Sequence, residues 1–393
     1  MSPRVVITAA VRTPIGRFGG ALASVPAVDL GIVAAGAALA RAGVLHDAVD
    51  QTIFGHARQA GCGPNAARQV SVRAGIPVDK PAYGINQACL SGMQAVLAAV
   101  RAIRVGEAEV VLAGGMESMS RVPFALDTRW GNRMGNMEAV DLMSRDGFLD
   151  PLSGKIMGET AETLAKQYGI PREEQDAFAA LSQNRCEAAR RAGRFADEIV
   201  PVTVTSGRAA TTVDRDEHPR DGVTAASLST LKPVFEAGGT VTAGNSSGIT
   251  DGAAAMLVMS ETAAKRLGAA PLARIVGWRV DGVAPEIMGI GPVPAVRQLL
   301  AATDVALDAI DLVELNEAFA AQVLAVDREL AFDRERLNVN GGAIALGHPV
   351  GESGTRVCVT LLHEMARRKL SLGVASLCIG GGQGAAMVFE RKE

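Results

Sequence analysis

Two hydrophobic periods alternate along this chain. Short apolar runs at Val5 to Val11, Val110-Val111-Leu112, Ala254 to Met259 and Val374-Ala375-Ser376-Leu377 have the length of strands buried on both faces. Between them lie Ala- and Leu-rich segments of helical length: Asp29 to Ala42, Gln94 to Arg104, Ala295 to Ala302 and Thr355 to Met365. A helix covering the outside of a sheet shows a polar stripe. Met93 to Ile103 shows almost none, and Val357-Cys358-Val359-Thr360-Leu361-Leu362 looks much the same. Both are expected between two apolar layers.

The order of elements repeats. Val5 to Val11 is followed by Thr13-Pro14-Ile15-Gly16, and the strand beginning Leu272 to Val276 by Gly289-Ile290-Gly291-Pro292. Helix 29–42 and the run Val49 to Ala57 match helix 295–302 and the run Ile310 to Phe319. Cys89, helix 94–104, Val110-Val111-Leu112 and Gly114-Gly115 match His348, helix 355–365, Val374 to Leu377 and Gly380-Gly381. Each half alternates strands and helices, which predicts an α/β unit with a largely parallel sheet. Two such halves with two buried helices between them make a layered α/β/α/β/α body. From Ser118 to Gly239 the texture changes. Charge rises, the apolar runs are interrupted, and Pro171 followed by Glu173-Glu174 opens an amphipathic helix, so this stretch is expected to be an inserted loop domain. Thr240 to Gly248 then returns the chain to the first half. The expected division is 1–118 with 240–268 for the N-terminal half, 119–239 for the insertion and 269–393 for the C-terminal half.

Composition narrows the function. With 48% hydrophobic residues but only 4% aromatic, the cores are built from Ala, Val, Leu and Ile, and 44 glycines allow close backbone approaches. A net charge of −3 without charge blocks points away from nucleic acid and from a membrane surface. No apolar run is expected to reach the roughly 18 residues of a bilayer span. Five cysteines without C-x-x-C spacing read as reduced thiols of a cytoplasmic protein. Cys62, Cys186 and Cys358 stand alone, too isolated for a zinc site, and read as buried small hydrophobes.

The chemistry gathers at three glycine-rich turns. Cys89 precedes a helix in Asn86-Gln87-Ala88-Cys89-Leu90-Ser91-Gly92, where helix N–H groups are expected to lower its pKa and to bind an oxyanion. His348, in Gly347-His348-Pro349-Val350-Gly351-Glu352-Ser353-Gly354, also precedes a helix, which holds it neutral as a base for a thiol proton. Cys378 ends a strand and enters Gly380-Gly381-Gly382, and Asn316 follows the apolar run Leu312 to Leu315 at a strand's C-terminal end. Two thiols and a histidine in such surroundings predict acyl transfer through a thioester. The P-loop pattern is absent, and the terminal glycines open no βαβ unit, so nucleotide chemistry has no support.

These motifs, with Gly114-Gly115-Met116-Glu117-Ser118-Met119-Ser120, Asn316-Glu317-Ala318-Phe319 and Asn340 to Pro349, make the whole chain resemble a thiolase. The resemblance implies the thiolase fold and reversible acyl transfer from acyl-CoA to acetyl-CoA, giving 3-ketoacyl-CoA and CoA. It implies that Cys89 is acylated, that His348 activates it and that Cys378 moves the proton at the acetyl carbon. Asn316 would hold a water that forms one oxyanion hole with His348, and the N–H groups of Cys89 and Gly380 would form another. Coenzyme A contacts are implied at Arg220, Ser227, Ala243, Gly244 and Ser247, with Met157, Met288, Ala318 and Phe319 near the pantetheine and acyl end. The expected partners are acetyl-CoA, acyl-CoA and CoA, with no cofactor or metal. A homotetramer, a dimer of dimers, would cover Trp130 and Met134.

Two positions depart from the family. Acetoacetyl-CoA thiolases often carry His before the Met-Gly pair, where this chain has Ile156-Met157-Gly158. That removes a polar contact and part of the case for a strict acetoacetyl-CoA specialist, leaving a medium- or long-chain 3-ketoacyl-CoA thiolase as the alternative. Glu352 stands where a small residue is usual. Four residues after His348, it would raise that histidine's pKa if unpaired. Four before Arg356 and in a helix's first turn, however, it is expected to be neutralised by local pairing and the helix dipole. A non-catalytic CoA-binding relative is the alternative of a different class. A decarboxylating ketoacyl synthase is disfavoured by Cys378.

Overall fold

Alternation along each strand sorts its side chains into two layers. In Thr250–Ser260, Ala254, Met256 and Val258 join one core, while Ala253, Ala255, Leu257 and Met259 join another. In Leu372–Ile379, Ala375, Leu377 and Ile379 face the first of these cores and Val374 a third. The computed structural model describes residues 3–207 and 209–391; Met1, Ser2, Arg208, Lys392 and Glu393, which fall within the expected domain ranges, lie outside the described residues.

The strands of the two halves are joined in one ten-stranded sheet. Its main path runs Leu312–Leu315, Leu372–Ile379, Gln383–Glu390, Ala273–Gly282, Val5–Arg12, Thr250–Ser260, Val110–Ser118, Gln51–Gly55 and Ala82–Ile85. The halves join at its centre through Val6↔Arg274 and Ile7↔Ala273. Both central strands carry a register shift, between Ile7 and Ala9 and between Ile275 and Gly277. Such a shift reverses the facing of everything beyond it. Accordingly Val5 and Ile7 face the central core, whereas Ala9 and Val11 face outward.

The expectation of largely parallel sheets is corrected. Gln51–Gly55 runs parallel to both its neighbours and Leu312–Leu315 to Leu372–Ile379, but the other pairings are antiparallel. The cause is local. A tight turn at Gly380-Gly381-Gly382 folds Gln383–Glu390 back on Leu372–Ile379, and the chain returning from the long insertion enters between Val5–Arg12 and Val110–Ser118. The layering is as expected. Helices Ser91–Val105 and Val350–Arg368 share the central core with strands of both halves. Ala27–Ala42 covers one outer face, and Pro292–Thr303 with Ala320–Leu330 covers the other.

A second correction concerns the membrane. Ala88–Val105 is long and apolar enough to cross a bilayer, with mean hydropathy 1.4, contrary to the reading of short apolar runs. Here it is the central helix, apolar because strands of both halves pack on it. The segment 119–239 supplies the helices Met157–Gln167 and Arg172–Arg191 and the hairpin Val202–Ser206 with Ala209–Val213. A buried arginine ties it to the sheet: Arg12 Nε donates to Glu198 at 2.6 Å, and its two terminal nitrogens donate to Asp216 at 2.6 and 2.9 Å.

Candidate active site

The two central helices meet at their N-terminal ends because glycines let their backbones touch. A Cβ at Gly92 would sit 2.5 Å from Thr355 Oγ1 and 2.9 Å from the Gly351 carbonyl, and one at Gly354 2.6 Å from Met93 N. The residues just before each helix are thereby forced together. The Cys89 sulfur lies 3.3 Å from His348 Nε2. Ala88 holds the left-handed conformation at φ 46°, a strained turn for a residue with a Cβ. Ser91 Oγ secures that turn, accepting from Gln87 N at 2.9 Å and donating to the Ala88 carbonyl at 2.7 Å.

His348 has a defined tautomer. Ser353 Oγ spends its one proton on the Pro349 carbonyl at 2.8 Å, so at 2.6 Å it must accept from His348 Nδ1–H. Nε2 then carries the lone pair facing Cys89. Burial, reinforced by the charges of Arg356 and Arg58, depresses the imidazole pKa to about 3. Burial also raises the Cys89 thiol, against the backbone N–H groups of Gly380 and Cys89 and the Arg58 charge, which lower it. The expected lowering by the helix N-terminus is therefore corrected. The helix begins only at Ser91, and desolvation of the sulfur outweighs the nearby N–H groups. The resting pair is a neutral thiol beside a neutral imidazole.

Asn316 is fully buried behind the histidine, with Nδ2 3.5 Å from His348 Nε2 and Oδ1 unbonded among the described residues. Its backbone N–H bonds the Ser376 carbonyl at 2.9 Å, which locks it to the strand that carries Cys378. Burial and the nearby Cys89 push the Cys378 thiol up. Glu117, on the strand Val110–Ser118, sits beneath the site. It accepts the backbone N–H groups of Ala57, Arg58 and Gly351 at 3.2, 3.0 and 2.8 Å, and His56 Nε2 lies 3.2 Å away. Burial alone would depress His56, but Cys62 and Glu117 push it up to about 9.

A cavity of about 760 Å³ opens onto Cys89, His348, Cys378 and Gly380. Of the residues read as coenzyme A contacts, Arg220, Ala243, Ser247, Met157, Met288, Ala318 and Phe319 line it. Ser227 and Gly244 stand elsewhere. Ser227 is exposed and caps the short helix Ala225–Ser229, while Gly244 packs on Leu228 and Leu231. Sequence reading missed Ser353, which orients the histidine, and Arg58, the cation beside Cys89. Ser353 had a signal, standing five residues after His348 in the same glycine-rich turn. Gly244-Asn245-Ser246-Ser247-Gly248 also fits hydrolase-elbow spacing, a pattern that sequence reading wrongly took to be absent. Ser246 Oγ, however, donates to the Thr242 carbonyl at 2.7 Å and, among the described residues, bonds no histidine.

Glu352 is a further correction. It makes no pair with Arg356, whose Nη1 instead donates to the buried Glu314 at 2.6 Å. Both Glu352 oxygens are buried without a hydrogen-bond partner among the described residues, and burial raises the carboxyl pKa to about 8 against the pull of Arg12 and Arg356. Cys186 and Cys358 are buried as expected, but Cys62 is only half-buried, its sulfur 4.0 Å from His56.

Comparison with known proteins gives the family. Residues 5–262 match the model for "Thiolase, N-terminal domain" and 269–391 that for "Thiolase, C-terminal domain". The chain is 51% identical to the acetyl-CoA acetyltransferase of Rhizobium meliloti over 390 residues, 99% of each chain. Its structure matches the Bacillus anthracis acetyl-CoA acetyltransferase with TM-score 0.97 at 49% identity, again over 99% of each chain. Human mitochondrial 3-ketoacyl-CoA thiolase in complex with CoA matches with TM-score 0.96 at 45% identity, over 99% of this chain and 98% of that one. By sequence and by fold, with its paired thiols and histidine at the junction of two similar halves, the chain belongs to the thiolase family.

Proposed function

We propose that this thiolase is an acetyl-CoA acetyltransferase, joining two acetyl-CoA molecules to 3-ketoacyl-CoA and CoA, and running in reverse. The observation that carries the reading is the 3.3 Å approach of Cys89 Sγ to a neutral His348 Nε2, on the floor of a cavity shared with Cys378. Cys89 attacks the thioester carbonyl as its proton passes to His348. The bond from carbonyl carbon to Cys89 sulfur forms, the bond to CoA sulfur breaks, and the departing CoA thiolate takes the Cys378 proton, which leaves Cys378 as a thiolate and the Cys89 proton on His348. Charge developing on the carbonyl oxygen is met by the N–H groups of Cys89 and Gly380. A second acetyl-CoA then loses a methyl proton to the Cys378 thiolate, which restores the thiol. Its carbon attacks the acyl-enzyme and releases the Cys89 thiolate, which recovers its proton from His348, while a water held by Asn316 and the His348 Nε2–H face the second oxyanion. A buried thiol with a raised pKa is a strong base once ionised, which suits removal of a weakly acidic carbon proton.

The coenzyme enters past Arg220 and Ser247, with its pantetheine against Met157, Met288 and Phe319, all on the cavity wall. We assign residues 119–239 to CoA binding and oligomer contacts. A homotetramer is supported by Trp130 and Met134, which are 92% and 90% exposed on that segment; a monomeric mass by light scattering would remove the assignment. Five free cysteines fit a reducing compartment such as the cytoplasm. The test of function is acetoacetyl-CoA formation from acetyl-CoA alone, with ping-pong kinetics. Turnover only with longer 3-ketoacyl-CoA would shift the reading to the chain-length alternative.

A further inference from the structure

Beside Cys89 the cavity continues into a pouch walled by Met119, Phe148 and Val350, which pack with Ala57 and Met143. Of the three arginines that line the cavity, Arg17 and Arg220 are exposed and only Arg58 is buried. Arg58 lines the cavity while only 9% exposed. Among the described residues it forms no ion pair, and its Nε has no hydrogen-bond partner. The local acids make no ion pair with it, although its charge, after that of Arg145, helps hold the Asp146 carboxyl below its ordinary pKa. Glu117 is occupied by three backbone N–H groups and His56, and Asp146 is paired with Arg145 at 2.8 Å. Space is nevertheless kept for the guanidinium, since a Cβ at Gly147 would fall 2.5 Å from Arg58 Nε.

A buried, unpaired guanidinium is costly, and a neutral acyl chain filling the pouch would strip its remaining water. A carboxylate there would satisfy it with parallel, charge-assisted hydrogen bonds. We propose that the pouch receives acyl groups ending in a carboxylate, with Arg58 as their counter-ion, so that the acyl donor is a dicarboxylic acid monothioester of CoA. The proposal rests on the acyltransferase reading above. The chemistry is unchanged: Cys89 takes the acyl group at its thioester carbonyl, CoA leaves as the thiol, and the distal carboxylate remains unreacted. The product with acetyl-CoA is a 3-oxo dicarboxylyl-CoA. The reaction supplying the substrate is then one that activates or shortens dicarboxylic acids.

The test compares acylation of Cys89 by succinyl-, glutaryl- and adipyl-CoA with that by butyryl-, valeryl- and hexanoyl-CoA, as kcat/KM and by intact mass. At least one carboxylate member should exceed its neutral counterpart by roughly 10- to 100-fold, the worth of a charged hydrogen bond. Arg58→Leu should erase that advantage and Arg58→Lys keep part of it. If Arg58→Leu fails to fold, the wild-type ratios and Arg58→Lys still decide. Neutral chains matching or beating every carboxylate member would overturn the inference. An acetyl-CoA control separates the two levels. No acetylation of Cys89 means the enzymatic reading has failed, whereas acetylation without carboxylate preference means only this inference has.

Discussion

Replacing Glu352 by Gln should flatten the dependence of stability on pH. In the native protein this carboxyl is fully buried with both oxygens unpartnered, and its pKa stands at about 8 against an ordinary 4.5. A native pKa above the unfolded one means that folding takes up a proton. The group's contribution is therefore full below about pH 4.5 and is lost as pH rises through about 8. Within that window each pH unit costs about 1.4 kcal/mol, so raising pH from about 5 to about 7.5 costs the wild type roughly 3 kcal/mol from this group alone. Unfolding entropy of about 2.1 cal/mol/K per residue gives about 0.8 kcal/mol/K for a chain of this size. The expected difference is thus about 4 °C. Differential scanning fluorimetry of both proteins, at equal concentration across that range, should show the wild type losing about 4 °C more than Glu352→Gln. The burial of a polar side chain is common to both proteins, so only the titration distinguishes them. Parallel Tm-versus-pH curves would refute the reasoning and mean that Glu352 is ionised in the native state, with a partner.

Ser353→Ala leaves His348 Nδ1–H without an acceptor and should lower kcat/KM roughly 10- to 100-fold, with partial rescue by Ser353→Thr; an unchanged rate would dissociate Ser353 from the tautomer. Cys378→Ala should still be acylated at Cys89 but fail to form the carbon–carbon bond, as steady-state condensation against single-turnover acylation will show. Because burial raises the Cys89 thiol, its alkylation by iodoacetamide should keep accelerating above the ordinary thiol pKa of about 8.5. A plateau below neutrality, followed by peptide mass spectrometry, would indicate a thiolate at rest.

What the sequence shows best is what depends on local pattern. The apolar runs and helical segments place the two central helices, and their lack of polar stripes announces burial on both sides. The glycine-rich turns mark Cys89, His348 and Cys378, because close approach to a reacting atom requires small residues at known spacing. What it hides depends on partners distant in sequence. Strand direction across Val5–Arg12 and Thr250–Ser260 is set by where the chain returns from the insertion, which periodicity does not encode. Arg356 lies one turn from Glu352, yet Glu314, 42 residues away in sequence, captures it. The Cys89 pKa follows from how deeply its sulfur is enclosed, not from its place before a helix. Arg58 stands in no recognisable motif, and only its enclosure beside Cys89 gives it meaning.

The central claim is that Cys89 carries the acyl group. Incubation with acetyl-CoA, acid quenching and intact-mass analysis should show a single added acetyl group, located on the Cys89 peptide and absent from Cys89→Ala. An adduct mapped to another residue, or turnover retained by Cys89→Ala, would contradict the account.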